Sequence, residues 1–308
     1  MKHPVDVAYV RPSPIQFEMQ CLLSSLGFMA VLAHATPLFQ RDTTDTATDW
    51  DGILNGDSGA TCSDLAIIFA RGTFDSGNIG PWVGGPFRDA LVALHSGTAF
   101  QGVNPNDYAA DLAGYIDDGS PQSCADSLAN SVRTYYTACP DAKFVISGWS
   151  QGALCAHKSL GSLGDAASSV IAVTTFGDPI DVWTDSITFP SNPSNAQSFT
   201  YCKQSPIDPL CQDPSDDTFS SDSLEFIDDL KDIWENASSI NLTDDQKSAF
   251  ASIVTELPEQ ASDQITQLAT DIANGDIRRW ELTPQHFWYG DDGTVQQAAI
   301  DIMSAFGS

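Results

Sequence analysis

The segment KFVISGWSQGALCAHKSL, residues 143–160, joins an apolar run to an Ala- and Leu-rich run across a Gly-x-Ser-x-Gly pentapeptide. The apolar run predicts a buried β-strand, and the second run predicts a helix. A serine at a sharp turn from strand to helix needs small residues on both sides, and such a turn exposes its hydroxyl. The segment therefore predicts a nucleophile elbow with Ser150 as the nucleophile; the alternative is an ordinary Gly-rich loop.

Strand-like and helix-like stretches alternate around this segment. Near-continuous apolar runs fit a parallel sheet that is covered on both faces. The alternation predicts an α/β fold in three layers, an α/β/α sandwich. The predicted strands are 64–71, 143–148 and 170–176, with weaker candidates at 99–103 and 197–201, and the predicted helices lie near 82–96, 124–138 and 151–163.

Histidines that could serve as the catalytic base are scarce. A serine hydroxyl is a poor nucleophile without a base, and after residue 41 the chain has only His95, His157 and His286. In α/β-hydrolases the acid and then the histidine follow the serine. His157 lies two turns into the helix after Ser150 and faces away from it, and His95 precedes it. We therefore predict His286 as the base; the alternative is a surface loop histidine.

Two aspartates are candidates for the acid that orients the base. Asp178 follows the first predicted strand after the elbow, and Asp208 follows the second, where α/β-hydrolases usually carry the acid. Asp208 also lies between Cys202 and Cys211, and a disulfide between them would hold its carboxylate still. Asp178, followed by a proline, is better suited to shape a turn. We predict Asp208 as the acid and keep Asp178 as the alternative.

Ester hydrolysis by a serine also needs backbone N–H donors for the oxyanion of the tetrahedral intermediate. Gln151, the residue after the nucleophile, supplies one of them. The second should come from the loop after an early strand, and Thr73 in Arg71-Gly-Thr is the candidate. We expect no cofactor and no metal ion.

The N-terminus predicts secretion. An apolar stretch at 22–32 is followed by Ala33-His-Ala35, a small-x-small pattern typical of signal-peptidase sites. Residues 1–18 are an atypical polar extension. We predict a signal peptide at 1–35, a propeptide or linker at 36–61 and the catalytic domain at 62–308.

The cysteines and two glycosylation sequons agree with an extracellular protein. Cys21 lies in the predicted signal peptide, and six cysteines remain, which is the even number expected for three disulfides. Six cysteines allow 15 pairings. These residues are Cys62, Cys124, Cys139, Cys155, Cys202 and Cys211, and the sequons begin at Asn236 and Asn241.

The charge excludes some partners. The chain has 41 acidic and 13 basic residues, a formal net charge of −28. Such a charge repels nucleic acid and anionic membrane surfaces, and no run of 18 apolar residues indicates a membrane span. We expect no nucleic acid partner and no integral membrane association. The alternative explanation of the acidic charge is that it only keeps the protein soluble.

Residues 212–283 are strongly acidic and predict three helices. Asp222 should cap the first, Thr243 and Gln246 should form a capping box for the second, and Pro258 should open a third that ends at 274–275. Because short helices do not keep apolar faces in water, these faces must be covered. The segment is either a cap beside the Ser150 cleft or a subdomain appended to one side. The first helix should bury Leu224, Ile227, Leu230 and Trp234, and a final helix is expected at 295–306.

Together these motifs resemble the cutinase family, which includes acetylxylan esterases. The residues that carry the resemblance are Cys62–Asn78, Cys139–Ala153, Cys202–Cys211 around Asp208, and His286–Gly290. The resemblance covers about 62–211 and 284–306. It implies a compact α/β-hydrolase with a central five-stranded parallel sheet. It also implies disulfides Cys62–Cys139 and Cys202–Cys211, which leave Cys124–Cys155 as the third pair.

The sequence departs from the family in three places. Thr73 stands where serine is common, Trp149 replaces a tyrosine or histidine, and the segment at 212–283 replaces a short loop. The family implies a secreted, monomeric serine esterase that hydrolyses cutin-like polyester or fatty acyl esters through an acyl-enzyme. The alternatives are an acetylxylan or other carbohydrate esterase, a lipase with a lid, and a non-catalytic interaction protein. Apolar residues near the predicted site favour acyl chains weakly: Ile79, Trp82, Val83, Phe287 and Trp288.

Overall fold

A computed structural model describes residues 45–214, 219–237 and 242–307. The predicted signal peptide, Cys21, the first part of the predicted linker and Asn241 lie outside these residues. Within the described ranges, no helix is both long enough and apolar enough to cross a membrane.

The core is a sheet of five parallel strands, as predicted. The strand order is β2-β1-β3-β4-β5, so the direction of winding reverses between β1 and β3. In open α/β sheets, the crevice at the carboxyl ends of the strands beside such a reversal is the usual site of function. The strands are β1 Leu65–Ala70, β2 Ala99–Gly102, β3 Lys143–Trp149, β4 Val170–Phe176 and β5 Gln197–Tyr201.

Helices cover both faces of the sheet, which confirms the three-layer architecture. Successive side chains of β1 point to opposite faces: Ile67 belongs to one buried cluster, with Phe87, and Ile68 belongs to a second buried cluster, with Leu128. The helices are α1 Asp51–Leu54, α2 Gly85–Leu94, α3 Leu112–Asp118, α4 Gln122–Ala138, α5 Gln151–Ser159, α6 Ser223–Asn236, α7 Asp244–Asp263, α8 Ile265–Asn274 and α9 Thr294–Phe306.

Three disulfides join the described residues, and their pairing is the one that the family resemblance implies. Cys62–Cys139 ties the start of β1 to the end of α4, Cys124–Cys155 joins α4 to α5, and Cys202–Cys211 closes the loop after β5. The last bridge encloses Asp208.

The segment before residue 62 is part of the packed body, at least from residue 45, and is not a free linker. Trp50 is completely buried, with its ring 4.6 Å from the ring of Tyr135. Its indole N–H donates to the carbonyl of Ala99 at 3.3 Å. Packed residues therefore precede the boundary predicted at residue 62, and a single tryptophan in a polar segment carries no periodic signal that could indicate them.

The helices of the 212–283 segment differ from the prediction in two respects. Asp222 caps α6, and Thr243 and Gln246 form the predicted capping box of α7. Pro258, however, lies inside α7, where the buried side chains Leu257 and Ala261 carry the helix past it. The third helix, α8, instead begins at Ile265.

Leu224 is also misassigned by the sequence pattern. It is 65% exposed, and Phe226 is buried beside Ile227, Leu230 and Trp234 instead. At about 100° per residue the buried side chains share one face of α6, and Leu224 points about 100° away from the centre of that face.

Candidate active site

Ser150 occupies a sharp turn at the carboxyl end of β3. Its backbone has φ +57° and ψ −126°, a left-handed φ that is costly for a residue with a side chain. A Cβ on Gly148 would lie 2.1 Å from the carbonyl oxygen of Gly152, and a Cβ on Gly152 would lie 2.0 Å from that of Ala70. Both glycines are therefore required by the close approach of backbone around the serine, and α5 starts at the next residue.

His286 and Asp208 form a buried pair. His286 lies in a helical turn at Pro284–Gly290, and Asp208 lies in the Cys202–Cys211 loop. The imidazole Nδ1 is 2.7 Å from Asp208 Oδ2, and both side chains have 0% exposure. Asp208 Oδ1 accepts from the backbone N–H of Leu210 at 3.1 Å.

The environment of Asp208 favours its ionised form. Burial alone raises the pKa of this carboxyl, but the charge of His286 and the hydrogen bonds that Asp208 accepts outweigh it, so the pKa lies below its ordinary value of 3.8. Asp208 is therefore an anion near neutral pH. An anion at this place holds the imidazole in the tautomer that carries its proton on Nδ1.

The structure brings Ser150 to the same end of the sheet as His286 and Asp208. The backbone N–H of Ser150 donates to the carbonyl of Phe176, the last residue of β4. The next residue, Gly177, lies directly under the imidazole, since a Cβ there would be 2.6 Å from His286 Cε1. Ser150 Oγ and His286 Nε2 are both buried, and neither has a hydrogen-bond partner among the described residues.

The other sequence candidates lie elsewhere. Asp178 Oδ2 is 2.7 Å from His157 Nε2, and its Oδ1 accepts from the N–H of Ile180, so Asp178 is engaged away from His286. His95 lies beside Asp64 at 2.9 Å. His286 is thus the histidine that the structure brings to Asp208.

Thr73 and Gln151 meet beside the serine. In the register of β1 and β3, Ala70 pairs with Gly148, which places the loop after β1 against the turn after β3. Thr73 Oγ1 donates to Gln151 Oε1 at 3.3 Å, and both residues are buried. No hydrogen bond among the described residues uses the backbone N–H of Thr73 or of Gln151. These two donors are the ones expected of an oxyanion hole.

The helices α6, α7 and α8, which we call the cap, pack on the active-site side of the body. The ring of Trp234 in α6 is 4.8 Å from that of Phe287, which is in turn 4.9 Å from that of Trp149. Apolar side chains of all three helices share one core with these aromatic residues. Ser150 is only 1% exposed and His286 is 0% exposed, so the reactive groups are sealed from solvent.

Polar contacts fasten both halves of α7 to the body. Near its start, Gln246 Nε2 donates to Asp291 Oδ2 at 3.1 Å. Near its end, Gln260 Oε1 accepts from the backbone N–H of Leu112 at 3.0 Å. The cap is therefore held in place over the site from two sides.

No metal site accompanies this arrangement: in the described ranges, no group of three or more His, Cys, Asp or Glu side chains could hold an ion.

Sequence reasoning missed the contacts of two residues of the site. Trp149 donates its indole N–H to the carbonyl of His286 at 3.0 Å, and Tyr289 donates its hydroxyl to Asp208 at 2.6 Å. The sequence marks Trp149 only by its position beside Ser150, and it marks Tyr289 only by its position three residues after His286.

Comparisons with known proteins assign the family of the chain. The model of the family described as Cutinase matches residues 61–222, more than half of the chain. A cutinase of Botryotinia fuckeliana is 39% identical over 121 residues, which are 38% of this chain and 58% of that protein. A cutinase of Hypocrea jecorina (strain QM6a) is 34% identical over 186 residues, which are 56% of this chain and 72% of that protein.

Among solved structures, a Trichoderma reesei cutinase in complex with a phosphonate inhibitor matches with a TM-score of 0.40 at 23% identity, over 72% of this chain and 88% of that one. The family assignment rests on the sequence matches. By the extent of the family model and by its curated relatives, the chain belongs to the cutinase family of carboxylic ester hydrolases.

Proposed function

We propose that the protein is a secreted serine esterase that hydrolyses carboxylic esters through Ser150, His286 and Asp208. The observation that carries the proposal is the position of a strained serine and a buried His–Asp pair at one end of the sheet. In this fold that combination is the machinery of acyl transfer.

The reaction follows from the positions of the donors and acceptors. His286 Nε2 takes the proton of Ser150 as Oγ attacks the ester carbonyl, and Asp208 stabilises the resulting imidazolium. The backbone N–H groups of Thr73 and Gln151 donate to the oxyanion. When the tetrahedral intermediate collapses, the alcohol leaves with the proton from His286, and the acyl group stays on Ser150. Water then repeats the sequence and releases the acid.

The surroundings of the histidine favour apolar acyl groups. Phe287 lies between three tryptophan rings, those of Trp82, Trp149 and Trp234, at centroid distances of 5.5, 4.9 and 4.8 Å. These rings are at most 2% exposed, and once movement of the cap uncovers them they bind hydrocarbon better than hydroxylated sugar. We therefore propose fatty acyl or cutin-like esters as substrates, and acetylated carbohydrate is the alternative.

The burial of Ser150 favours a second candidate within the same chemistry, a lipase with a lid. An ester cannot reach a serine that is 1% exposed unless the cap moves. A lid whose inner face is apolar opens more readily against an apolar surface, because that surface replaces the contacts that the lid loses. This candidate predicts that aggregated substrate is hydrolysed faster than dissolved substrate.

One experiment tests both candidates. The purified mature protein would be given p-nitrophenyl esters from acetate to palmitate, below and above the solubility limit of each. Ser150→Ala and His286→Ala should each reduce turnover by several orders of magnitude, since triad members act as a unit. Asp208→Asn should be severe and Asp178→Asn mild, because Asp178 is bound to His157. A more damaging Asp178→Asn, or a fluorophosphonate probe that labels a residue other than Ser150, would reject the proposed triad.

The proposal of secretion has its own support. Three disulfides persist only where the surroundings are oxidising. Mass spectrometry of the secreted protein should find the mature N-terminus after residue 35 and glycans at Asn236 and Asn241. Light scattering should find a monomer.

A further inference from the structure

The carboxylate of Asp208 accepts two hydrogen bonds on one oxygen. Oδ2 is 2.7 Å from His286 Nδ1, and it accepts from the hydroxyl of Tyr289 at 2.6 Å. The other oxygen, Oδ1, accepts from the backbone N–H of Leu210. The hydroxyl of Tyr289 is therefore the one side-chain donor, apart from the imidazole itself, that fixes Oδ2 among the described residues.

Tyr289 also joins the two loops that carry the pair. It is completely buried and lies three residues after His286. Its hydroxyl accepts from the backbone N–H of Lys203, inside the disulfide loop, at 3.1 Å. A hydroxyl that accepts one hydrogen bond becomes a better donor for the next, so this chain of bonds strengthens the contact with Asp208.

We propose that Tyr289 is a positioning residue for ester hydrolysis, which holds Asp208 Oδ2 on His286 Nδ1 and weakens Oδ2 as a proton acceptor. The proposal rests on the proposed function only in that Ser150 and His286 act as nucleophile and base. The physical consequence is that the Nδ1 proton stays on the imidazole, so that Nε2 remains free to take the proton of Ser150.

Loss of the hydroxyl should change the chemistry in a stated direction. Without the second donor, Oδ2 carries more negative charge toward the imidazole and stabilises the imidazolium more strongly. The histidine then loses its proton at a higher pH, which moves the acidic midpoint of the pH profile upward. A Tyr289 that only filled space would lower stability and leave this midpoint where it is.

Other charged groups near the pair are few. Lys203 Nζ lies 5.9 Å from the ring centre of Tyr289 and is paired with Asp292 at 2.6 Å. The guanidinium of Arg278 donates to the carbonyl of Pro209. Because these groups stay unchanged when the hydroxyl is removed, they do not mimic the expected shift.

The test compares Tyr289→Phe with Tyr201→Phe, a matched control. The hydroxyl of Tyr201 donates to Oδ2 of Asp301, a residue of α9, at the same distance of 2.6 Å. The measurements are kcat and KM for p-nitrophenyl butyrate across pH, and the NMR titration of His286 in protein with 15N-labelled histidine. Tyr289→Phe should lower kcat by about tenfold to a hundredfold with little change in KM, because a carboxylate without this second anchor keeps the imidazole aligned with Ser150 for less of the time, and this loss outweighs the stronger base. Tyr289→Phe should also raise the acidic midpoint of the kcat profile and the midpoint of the His286 NMR titration, each by about half to one pH unit. Tyr201→Phe should leave both midpoints unchanged.

A third variant, which retains the phenol hydroxyl, tests the same role if Tyr289→Phe does not fold. Replacement of Tyr289 by 3,5-difluorotyrosine makes the phenol a stronger donor, so both midpoints should fall. Unchanged midpoints in an active variant would overturn the role of Tyr289. If the wild-type protein hydrolyses no ester, the proposed function fails, but the NMR titration still decides whether Tyr289 controls the His286–Asp208 pair.

Discussion

Asp75 is a buried carboxyl in the loop between β1 and α2. It is 6% exposed, and neither of its carboxyl oxygens has a hydrogen-bond partner among the described residues. Burial raises the pKa of Asp75 well above its ordinary value of 3.8. The charge of Arg71 and the backbone N–H of Gly72, which is near the carboxyl but outside hydrogen-bond geometry, oppose this shift without cancelling it. The folded protein therefore keeps the Asp75 proton at pH values where the unfolded chain has lost it.

The stability of the protein should depend on pH through this group. Since the folded state binds the extra proton, the free energy of unfolding should fall as pH rises from about 3.8 through the raised pKa of Asp75. Asp75→Asn stays neutral and should remove this part of the fall. Urea unfolding at several pH values between 4 and 8 measures it.

The control for this prediction is Asp263→Asn, which removes one negative charge at an exposed position on α7. It should reduce the general repulsion among the acidic residues and keep the slope of the wild type. If Asp75→Asn and Asp263→Asn give the same slope, the buried carboxyl does not control the pH dependence.

At the scale of single residues, sequence predicts the groups that lie within local motifs. Ser150 is marked by the glycines that its turn requires, and His286 is marked by chain order. The contacts of Trp149 and Tyr289 join residues that are 137 and 81 positions apart. No local pattern records such contacts, because they exist only after the sheet has brought the two loops together.

At the scale of elements, α7 is the part of the cap whose attachment can be tested most directly. Gln260 accepts from the N–H of Leu112, the first residue of α3. Among the described residues this is the polar contact that adds to the packing of Leu257 and Ala261 in holding the later half of α7. Gln260→Ala should therefore favour an open cap and leave the capping box at the start of α7 intact.

The expected result is faster access to the buried serine. One lost hydrogen bond is worth about 1 kcal/mol, which corresponds to roughly a fivefold increase in the open population. The rate at which a fluorophosphonate labels Ser150 should rise by about this factor. Gln297→Ala is the matched control, because the side-chain amide of Gln297 donates to Asp301 of the same helix, α9, away from the cap. Equal labelling rates in the two variants would argue that the cap does not limit access.

Sequence predicts the elements of the body better than those of the cap. The three central strands β1, β3 and β4 are found because buried parallel strands read as continuous apolar runs, whereas the edge strands β2 and β5 carry polar residues and give only a weak signal. Helix α7 passes through Pro258 because tertiary packing outweighs the local preference of proline to start or end a helix. The sequence also does not predict the burial of Trp50, because the burial of a single residue depends on tertiary packing and leaves no periodic pattern.

At the scale of the whole molecule, charge is the dominant feature. The cap segment 212–283 contains 17 of the 41 acidic residues and only four basic ones. It therefore carries close to half of the net charge of −28. Repulsion among these charged groups opposes the compact state. The cap must stay folded over the active site although its segment carries a large share of the negative charge.

Salt should therefore stabilise the protein. The screening length falls from about 30 Å at 0.01 M to about 3 Å at 1 M ionic strength, so repulsion across the cap disappears while the buried contacts at its inner face do not weaken. The melting temperature should rise by roughly 2–5 °C between 0.01 and 0.5 M NaCl. A variant with four exposed acidic groups of the cap neutralised should start at a higher melting temperature and respond less to salt. Equal salt responses in the two proteins would mean that the cap charges do not oppose folding; the four substitutions are Asp228→Asn, Asp232→Asn, Asp245→Asn and Glu259→Gln.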